Sequence, residues 1–185
     1  ILLIPLVYGR DIAGAITAVG KTDTSDAVAF YRAFAMTAVK MNATDELDVN
    51  DPKSLTVIRE RDLTLLDIMQ HSAPHDMVAR EWVTGFPLVR RGADILKQFG
   101  PGRQSIANMF LTLLATEPDT FIIKKHGPGV ARETMMAART VLDGKLSIQE
   151  FDEDCIRRDI NPGSLADITI ASIYIALGEG WSWDS

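Results

Sequence analysis

Cysteine, basic charge and long hydrophobic runs are all scarce in this sequence of 185 residues, and each scarcity excludes a class of protein. The single cysteine, Cys155, excludes an internal disulfide and a cysteine-based zinc site, and it fits a reducing compartment. A formal net charge of −6 argues against a general nucleic-acid binder, which needs a basic surface. The longest stretch without an ionisable side chain, Gln104 to Thr116, is too short for a membrane span. We therefore expect a cytoplasmic protein that binds neither nucleic acid nor a membrane.

The sequence does not begin with methionine but with the apolar run Ile1 to Val7. A signal peptide carries basic residues before its apolar run, and this run has none before it. This start predicts that the chain is the larger, C-terminal part of a longer protein. We expect the run to pack as a helix against the rest of the molecule or against a preceding N-terminal region, because burial stabilises aliphatic side chains. Without that region an apolar patch stays exposed, which favours a homo-oligomer or a bound partner.

Alternating patterns of strand length are scarce, whereas apolar residues recur at helical spacing along much of the chain. Helices are predicted over Ala27 to about Met41, Val78 to Phe99, Ile106 to Leu114, Val130 to Val141, and Ala166 to Leu177. Pro87 should kink or split the second of these, and the last should be a buried central helix. Phe121 to Ile123 is the best strand candidate, and Thr44 to Asp62 is the least regular segment. The sequence thus predicts a single all-α domain, a multi-helix bundle with short connections.

Two carboxylates and an amide lie within the first of three polar motifs, Asp48-Val49-Asn50-Asp51-Pro52. Such oxygen ligands can hold a hard cation such as Mg²⁺, which makes Asp48 and Asp51 the predicted metal ligands. The alternative is structural, with Asp51 as the N-cap of a helix whose first residue is Pro52. The spacing alone leaves both interpretations open.

Two lysines and a histidine precede two glycines in the second motif, Lys124-Lys125-His126-Gly127-Pro128-Gly129. Pro128 is well placed as the first residue of a helix, whose unpaired N–H groups would then point into a loop that carries both lysines. Glycine at 127 and 129 allows a phosphate to approach the backbone closely. The motif therefore predicts an anion site, and the alternative is a solvated basic turn. Neither a P-loop nor a dinucleotide-binding glycine motif is present.

The third motif, Asn161-Pro162-Gly163-Ser164-Leu165-Ala166-Asp167, places a carboxylate at the start of the apolar helix predicted above. An unpaired buried charge is costly, so Asp167 would need a metal, a lysine or a ligand hydroxyl as its partner. The alternative is a capping box, because Ser164 and Asp167 have the required spacing.

Taken in order along the chain, these motifs resemble the triphosphoribosyl-dephospho-CoA synthase family, in particular its archaeal-type branch. The matching stretches are Asp48 to Pro52, Ala79 to Phe86, Pro118 to Thr120 with Lys124 to Gly127, and Asn161 to Asp167. The resemblance implies an all-α transferase that joins the ribose of ATP to the ribose of 3′-dephospho-CoA and releases adenine. The product is a precursor of a protein prosthetic group. The resemblance also implies an N-terminal region that is absent here, without which this chain alone would show little activity.

The implied reaction needs cations on the triphosphate, a carboxylate near the sugar, and a hydrogen-bond donor for the departing base. The residues that we expect to bind the phosphates are Lys124, Lys125, His126, Gly127, Gly129 and Arg80. Asp48 and Asp51 would hold Mg²⁺. Asp167 is the predicted catalytic carboxylate, which would complete the metal site or accept a hydrogen bond from a ribose hydroxyl. No residue stands out as the donor to adenine.

Two other functions remain open at this point. One is a Mg²⁺-dependent helical nucleotide phosphohydrolase or ribosyl hydrolase, in which water replaces the acceptor hydroxyl. The other is a non-catalytic helical interaction module. If Asp48, Asp51, Lys124 and Asp167 line one polar cleft, an enzyme is favoured, whereas motifs that lie far apart favour the module.

Overall fold

The computed structural model describes residues 1–37 and 47–184, and this part of the chain contains eleven α-helices and no strand. The helices are α1 Leu3–Gly9, α2 Ile12–Val19, α3 Thr24–Ala35, α4 Pro52–Glu60, α5 Leu65–Ser72, α6 Met77–Thr84, α7 Pro87–Phe99, α8 Arg103–Leu114, α9 Thr120–Leu142, α10 Ile148–Arg157 and α11 Gly163–Gly178. The all-α class predicted from the helical periodicity is confirmed.

Helix α11 lies at the centre of the bundle, packed most extensively on α7 and also in contact with α1, α6, α8 and α9. Gly92 of α7 allows this close packing, because a Cβ at that position would lie only 2.3 Å from the hydroxyl oxygen of Ser172. Eight of the sixteen residues of α11 are buried, in keeping with the central position predicted for this helix. Ile170 and Leu177 are nevertheless about half exposed, so one side of the helix reaches the surface.

Pro87 splits the long apolar stripe into two helices, α6 and α7, as the sequence predicts. Between them Gly85 has φ 81° and Phe86 has φ 62°, a left-handed conformation that is unusual for a bulky side chain. Phe86 is fully buried, and its backbone N–H donates to the carbonyl of Glu81 at 2.9 Å. Packing and this hydrogen bond together hold the strained connection.

The predicted strand at Phe121 to Ile123 is wrong, because these residues form part of the first turns of α9. The cause is Asp119, whose carboxylate accepts hydrogen bonds from the backbone N–H groups of Phe121 and Ile122 and so starts a helix there. A short apolar run has no periodicity of its own, and the capping residue before it decides its conformation.

Two further predictions, on either side of residues 38–46, differ from the structure. The helix expected to reach about Met41 ends at Ala35, and Met41 itself lies outside the described residues. The segment from Thr44 to Asp62, expected to be irregular, contains helix α4. Residues 44–46 of that segment also lie outside the described part.

The opening apolar run contributes to helix α1, which packs against α2 and α11 as expected. Leu2 and Leu6 are buried, whereas Ile4 and Val7 are more than half exposed and Tyr8 is 83% exposed. Helix α1 therefore exposes apolar side chains, and the N-terminal region that would cover them stays a prediction. Within residues 1–37 and 47–184, no helix combines the length and the hydrophobicity that crossing a membrane requires.

Candidate active site

The N-terminal ends of α6, α9 and α11 meet in one hydrogen-bonded cluster, which we call the helix junction. Thr120, the first residue of α9, accepts a hydrogen bond from the backbone N–H of Met77, the first residue of α6, at 3.1 Å. The hydroxyl of Thr120 also lies 3.1 Å from the hydroxyl of Ser164 in the first turn of α11. The positive ends of three helix dipoles therefore lie close together, an arrangement that attracts negative charge.

Asp119 supplies negative charge to the helix junction from within. Its side chain is fully buried; Oδ1 accepts hydrogen bonds from Phe121 and Ile122 at 2.7 and 3.0 Å, and Oδ2 accepts from the backbone N–H of Leu165 at 2.8 Å. Burial raises the pKa of the Asp119 carboxyl, while the backbone donors act in the opposite direction. One side chain therefore caps α9 and also reaches the first turn of α11, which fixes the two helices relative to each other.

Lys124 and Lys125, the two predicted phosphate-binding lysines, pair with different carboxylates. Lys124 lies one helical turn after Thr120 and so faces the start of α6, where its Nζ is 2.5 Å from Asp76 Oδ2. The Nζ of Lys125 is 2.5 Å from Asp159 Oδ2, and this pairing lowers the pKa of the Asp159 carboxyl. The basic turn is thus not merely solvated, because each lysine contacts a carboxylate from a distant part of the chain.

Asp159 follows the C-cap of α10 with φ 55°, a left-handed position where glycine is the usual residue. The N–H of Ile160 donates to the carbonyl of Cys155 at 2.8 Å and closes the end of the helix. The backbone carbonyl of Asp159 lies 3.2 Å from Lys125 Nζ and 2.9 Å from His126 Nε2. Glycine would make this turn with less strain, but it would leave Lys125 without a carboxylate.

Gly127 divides α9 into two segments with φ 85° and ψ 167°, and the second segment begins at Pro128. The helix start predicted at Pro128 is therefore present, and the positive φ explains the glycine before it. A Cβ added at Gly127 or Gly129 would meet no described atom within 4 Å, so the space beside this turn is open. A ligand that contacts His126 could approach the backbone here.

Asp76 has two roles at the start of α6. Its Oδ1 accepts hydrogen bonds from the backbone N–H groups of Val78 and Ala79 at 2.9 and 3.0 Å, and its Oδ2 contacts Lys124. Arg80 lies one turn further along α6 and is half-buried. In the described residues the Arg80 guanidinium has neither a hydrogen-bond nor an ion-pair partner, and its charge opposes the burial that raises the pKa of the neighbouring Glu81.

Glu81 is a second buried carboxylate that sequence patterns did not single out. Its two oxygens accept hydrogen bonds from the backbone N–H groups of Leu88 and Val89 at 3.1 and 2.9 Å, so Glu81 caps the start of α7 from α6. Burial raises the pKa of the Glu81 carboxyl. The signal in the sequence was an acidic residue directly before Trp82 on the apolar side of a predicted helix.

Asp51 has the structural role offered as the alternative, since it is the N-cap of α4 with Pro52 as the first helical residue. Its Oδ1 accepts from the backbone N–H of Lys53 at 2.9 Å, and Asp48 Oδ1 accepts from that of Asn50 at 2.8 Å. The metal-binding role of Asp48 and Asp51 stays a prediction. Within residues 1–37 and 47–184, no group of three or more His, Cys, Asp or Glu side chains is placed to hold a metal ion.

Asp167 lies on the exposed side of α11, in its second turn. Because Asp167 is not buried, its carboxylate does not need the partner that the sequence argument required. The capping box is not formed either, because the N-cap of α11 is Pro162 and the hydroxyl of Ser164 contacts Thr120 instead. The catalytic role of Asp167 stays a prediction.

The cationic motif is the part of the predicted site that the structure groups most clearly. Lys124 lies beside Asp76, and Lys125 and His126 lie beside Asp159. Arg80 follows Asp76 by one turn of α6. The hydrogen bonds described above for Asp48 and Asp51 are to their own segment rather than to this group. Whether these carboxylates and Asp167 line the same cleft as the lysines stays a prediction.

Comparison with known proteins connects this arrangement to one family. The family model named CitG, described as ATP:dephospho-CoA triphosphoribosyl transferase, matches residues 1–185. The crystal structure of a protein from Archaeoglobus fulgidus, named as a candidate triphosphoribosyl-dephospho-CoA synthase, is similar with a TM-score of 0.83 and 27% sequence identity. The similarity covers 97% of this chain and 80% of that chain. The resemblance seen in four stretches of sequence is thus confirmed, and this chain belongs to the ATP:dephospho-CoA triphosphoribosyl transferase family.

Proposed function

We propose that the triphosphoribosyl transfer that characterises this family takes place beside the helix junction, with ATP as donor and dephospho-CoA as acceptor. Membership of the family makes the protein a transferase of the triphosphoribosyl-dephospho-CoA synthase type. One observation carries the placement of the site. The side chains of Lys124, Lys125 and His126 lie along the first segment of α9, which begins at the junction of three helix N-termini. Arg80 of α6 is the fourth cation that we expect there.

We assign the phosphates of both substrates to these cations, with Lys124 on the triphosphate of ATP, and with Lys125 and His126 on the pyrophosphate of dephospho-CoA. Exposed ion pairs such as Lys125 with Asp159 contribute little to stability, so each lysine can turn from its carboxylate to a phosphate at small cost. Hydrogen bonds between a lysine and a phosphate are charge-assisted and stronger than neutral ones. The open space beside Gly127 and Gly129 allows the phosphate to reach the backbone.

Release of the lysines leaves Asp76 and Asp159 free for the chemistry at the sugar. Breaking the bond between the ribose C1′ and adenine develops positive charge on the sugar, which a nearby carboxylate stabilises. The acceptor hydroxyl then forms the new C1′–O bond as the C1′–N bond to adenine breaks, and its proton passes to a carboxylate and on to water. Adenine takes up a proton from water as it leaves, and the triphosphate stays on the transferred ribose. Asp167 is retained as the predicted partner of a ribose hydroxyl.

Magnesium fits the donor chemistry of the segment that contains Asp48 and Asp51. Mg²⁺ in nucleotide sites keeps several waters and takes one or two carboxylates together with phosphate oxygens, so a cluster of three protein ligands is not required. Asp48 and Asp51 would hold the ion, which when bound neutralises charge on the triphosphate.

An assay of free adenine and of coupled product, with ATP and dephospho-CoA as substrates, tests the proposal on the native protein. We expect Lys124→Ala combined with Lys125→Ala to lose most of both signals. Lys145→Ala is the matched control, because Lys145 also pairs with an exposed aspartate but lies after α9, away from the helix junction. Equal activity of the double variant would overturn the placement of the site. Adenine release without coupled product would favour a ribosyl hydrolase.

Two sequence predictions accompany this proposal. A cytoplasmic location fits an enzyme that uses ATP and contains a single cysteine. The expectation that this chain is the C-terminal part of a longer protein also stays a prediction, which an intact-mass measurement of the native protein tests.

A further inference from the structure

A groove of about 500 Å³ lies between α8, α10 and the start of α11, next to the proposed phosphate site. Most of its lining is apolar and comes from Phe110, Phe151, Cys155, Ile156 and Ile160. The transfer steps proposed above do not use these residues. The volume falls within the range of about 300–1,000 Å³ that is typical of small-molecule sites.

Asp159 connects the groove to the cations. It lines the groove, its carboxylate is 2.5 Å from Lys125 Nζ, and its carbonyl is 2.9 Å from His126 Nε2. A phosphate bound by Lys125 and His126 would therefore lie within a side chain's length of the groove. A ligand with an anionic part followed by an apolar part could occupy both places at once.

We propose that the groove receives the pantetheine arm of dephospho-CoA, an inference that rests on the proposed function. Dephospho-CoA consists of adenosine, a pyrophosphate and an uncharged arm with a dimethyl group, two amides and a thiol. Its order of charge, a pyrophosphate followed by an uncharged arm, matches the order of cations and apolar groove in the protein. ATP has no such arm, and the carboxylates of Asp152 and Asp159 along the groove disfavour its triphosphate there.

Ile156 adds an independent observation on the same groove. This side chain is 71% exposed, although it is large and aliphatic. An arm bound in the groove would cover Ile156 and remove apolar area from water, which favours binding. Asn161, which also lines the groove, can exchange hydrogen bonds with an amide of the arm.

The variant Ala166→Phe tests this assignment without disturbing the core. Ala166 lines the groove from an exposed position on α11, so a phenyl ring there fills the groove from the surface. The matched control is Ala29→Phe, the same substitution at an exposed position of α3. The matched ligand is ADP, which keeps the adenosine and the pyrophosphate of dephospho-CoA but lacks the arm.

We expect Ala166→Phe to raise the KM for dephospho-CoA by about tenfold or more, since small changes in the fit of an apolar pocket have effects of this size. The KM for ATP should be unchanged. Calorimetric titration should show the same loss of affinity for dephospho-CoA and no loss for ADP. Ala29→Phe should behave like the wild type in every measurement.

Failure of the groove assignment and failure of the proposed function give different results. An unchanged KM and affinity for dephospho-CoA in Ala166→Phe, or an equal loss for ADP, overturns the groove assignment. A wild type that binds dephospho-CoA no more tightly than ADP overturns it as well. If the wild type forms no coupled product but binds dephospho-CoA more tightly than ADP, and Ala166→Phe removes the difference, the transfer proposal fails while the groove assignment holds.

Discussion

Asp119 and Asp159 both contact the first segment of α9, but their surroundings are opposite. Asp119 is fully buried, and the partners described for it are backbone N–H groups of α9 and α11. Asp159 is exposed, and its carboxylate contacts the side chain of Lys125. Removal of Asp119 would leave buried N–H donors without an acceptor. A ligand can take the place of Asp159 beside Lys125, because that pair is exposed to water. The helix junction is therefore rigid, whereas the lysines at its edge can exchange their carboxylate partners for a ligand.

The same division appears on α6. Glu81 is buried and holds the start of α7 through backbone hydrogen bonds, while Asp76 uses one oxygen for its own helix and the other for Lys124. Substitutions at the buried carboxylates should therefore change stability. Substitutions at the exposed pairs should change nucleotide binding.

The largest expected effect on stability is that of Asp119→Ala. The N–H groups of Phe121, Ile122 and Leu165 would lose their acceptor, and each buried unpaired donor costs about 1–3 kcal/mol. We expect the free energy of unfolding, measured by urea denaturation, to fall by roughly 3 kcal/mol or more. Asp119→Asn, which keeps one oxygen, should lose less. A loss below about 1 kcal/mol for the alanine variant would show that the junction does not depend on this carboxylate.

Glu81→Gln should have the next largest effect. The amide keeps one oxygen but places an NH₂ group beside the backbone donors of Leu88 and Val89. We expect a loss of about 1–3 kcal/mol in the same measurement. Glu60→Gln, at an exposed position of α4, is the control and should change stability by less than about 0.5 kcal/mol. Equal losses in the two variants would contradict a special role for the buried carboxylate.

Asp51 allows the capping role to be separated from the metal role. Asp51→Ala should lower the free energy of unfolding by about 1 kcal/mol, because α4 loses its N-cap. Asp51→Ser keeps a capping oxygen and should retain most of that stability, but it removes a carboxylate that Mg²⁺ could use. A rise in the magnesium concentration needed for half-maximal adenine release in the serine variant would support the metal site. An unchanged magnesium concentration for half-maximal release would show that Asp51 acts only as the N-cap of α4.

The smallest expected effect on stability is that of Asp159→Asn. The pairing with Lys125 lowers the pKa of Asp159, so the pair stabilises the fold at neutral pH, and this contribution is lost as the pH falls through the lowered pKa. The carboxylate is exposed, and we therefore expect no measurable shift in the urea midpoint at pH 7. A shift as large as that of Glu81→Gln would remove the distinction between the buried and the exposed carboxylates.

Sequence patterns were sufficient for some of the long helices and insufficient for the first segment of α9 and for several short helices. Helices α7, α8 and α11 have enough turns for apolar spacing to identify them. Helices α2, α5 and α10 have only eight to ten residues, so few apolar positions mark them. A capping box of Ser147 and Glu150 was the available signal for α10.

The candidate site was predictable as a motif and not as a set of contacts. Two lysines beside a glycine turn are visible in the sequence, and the helix start at Pro128 follows from local chemistry. Asp76 and Asp159 lie 48 and 34 residues away from the lysines that they contact, and local spacing contains no information about such pairs. Asp167 was singled out because its helix is apolar, but the structure places it on the side of α11 that faces solvent.

Calorimetric titration of ATP into the wild type and into the variant with both Lys124→Ala and Lys125→Ala tests the central claim most directly. The claim is that the lysines beside the helix junction bind the phosphates of the two substrates, with Lys124 on the triphosphate of ATP. We expect the double variant to keep the circular dichroism spectrum and the urea midpoint of the wild type, and to lose affinity for ATP by about tenfold or more. Lys145→Ala should bind ATP as the wild type does. An unchanged affinity in the folded double variant would contradict the claim.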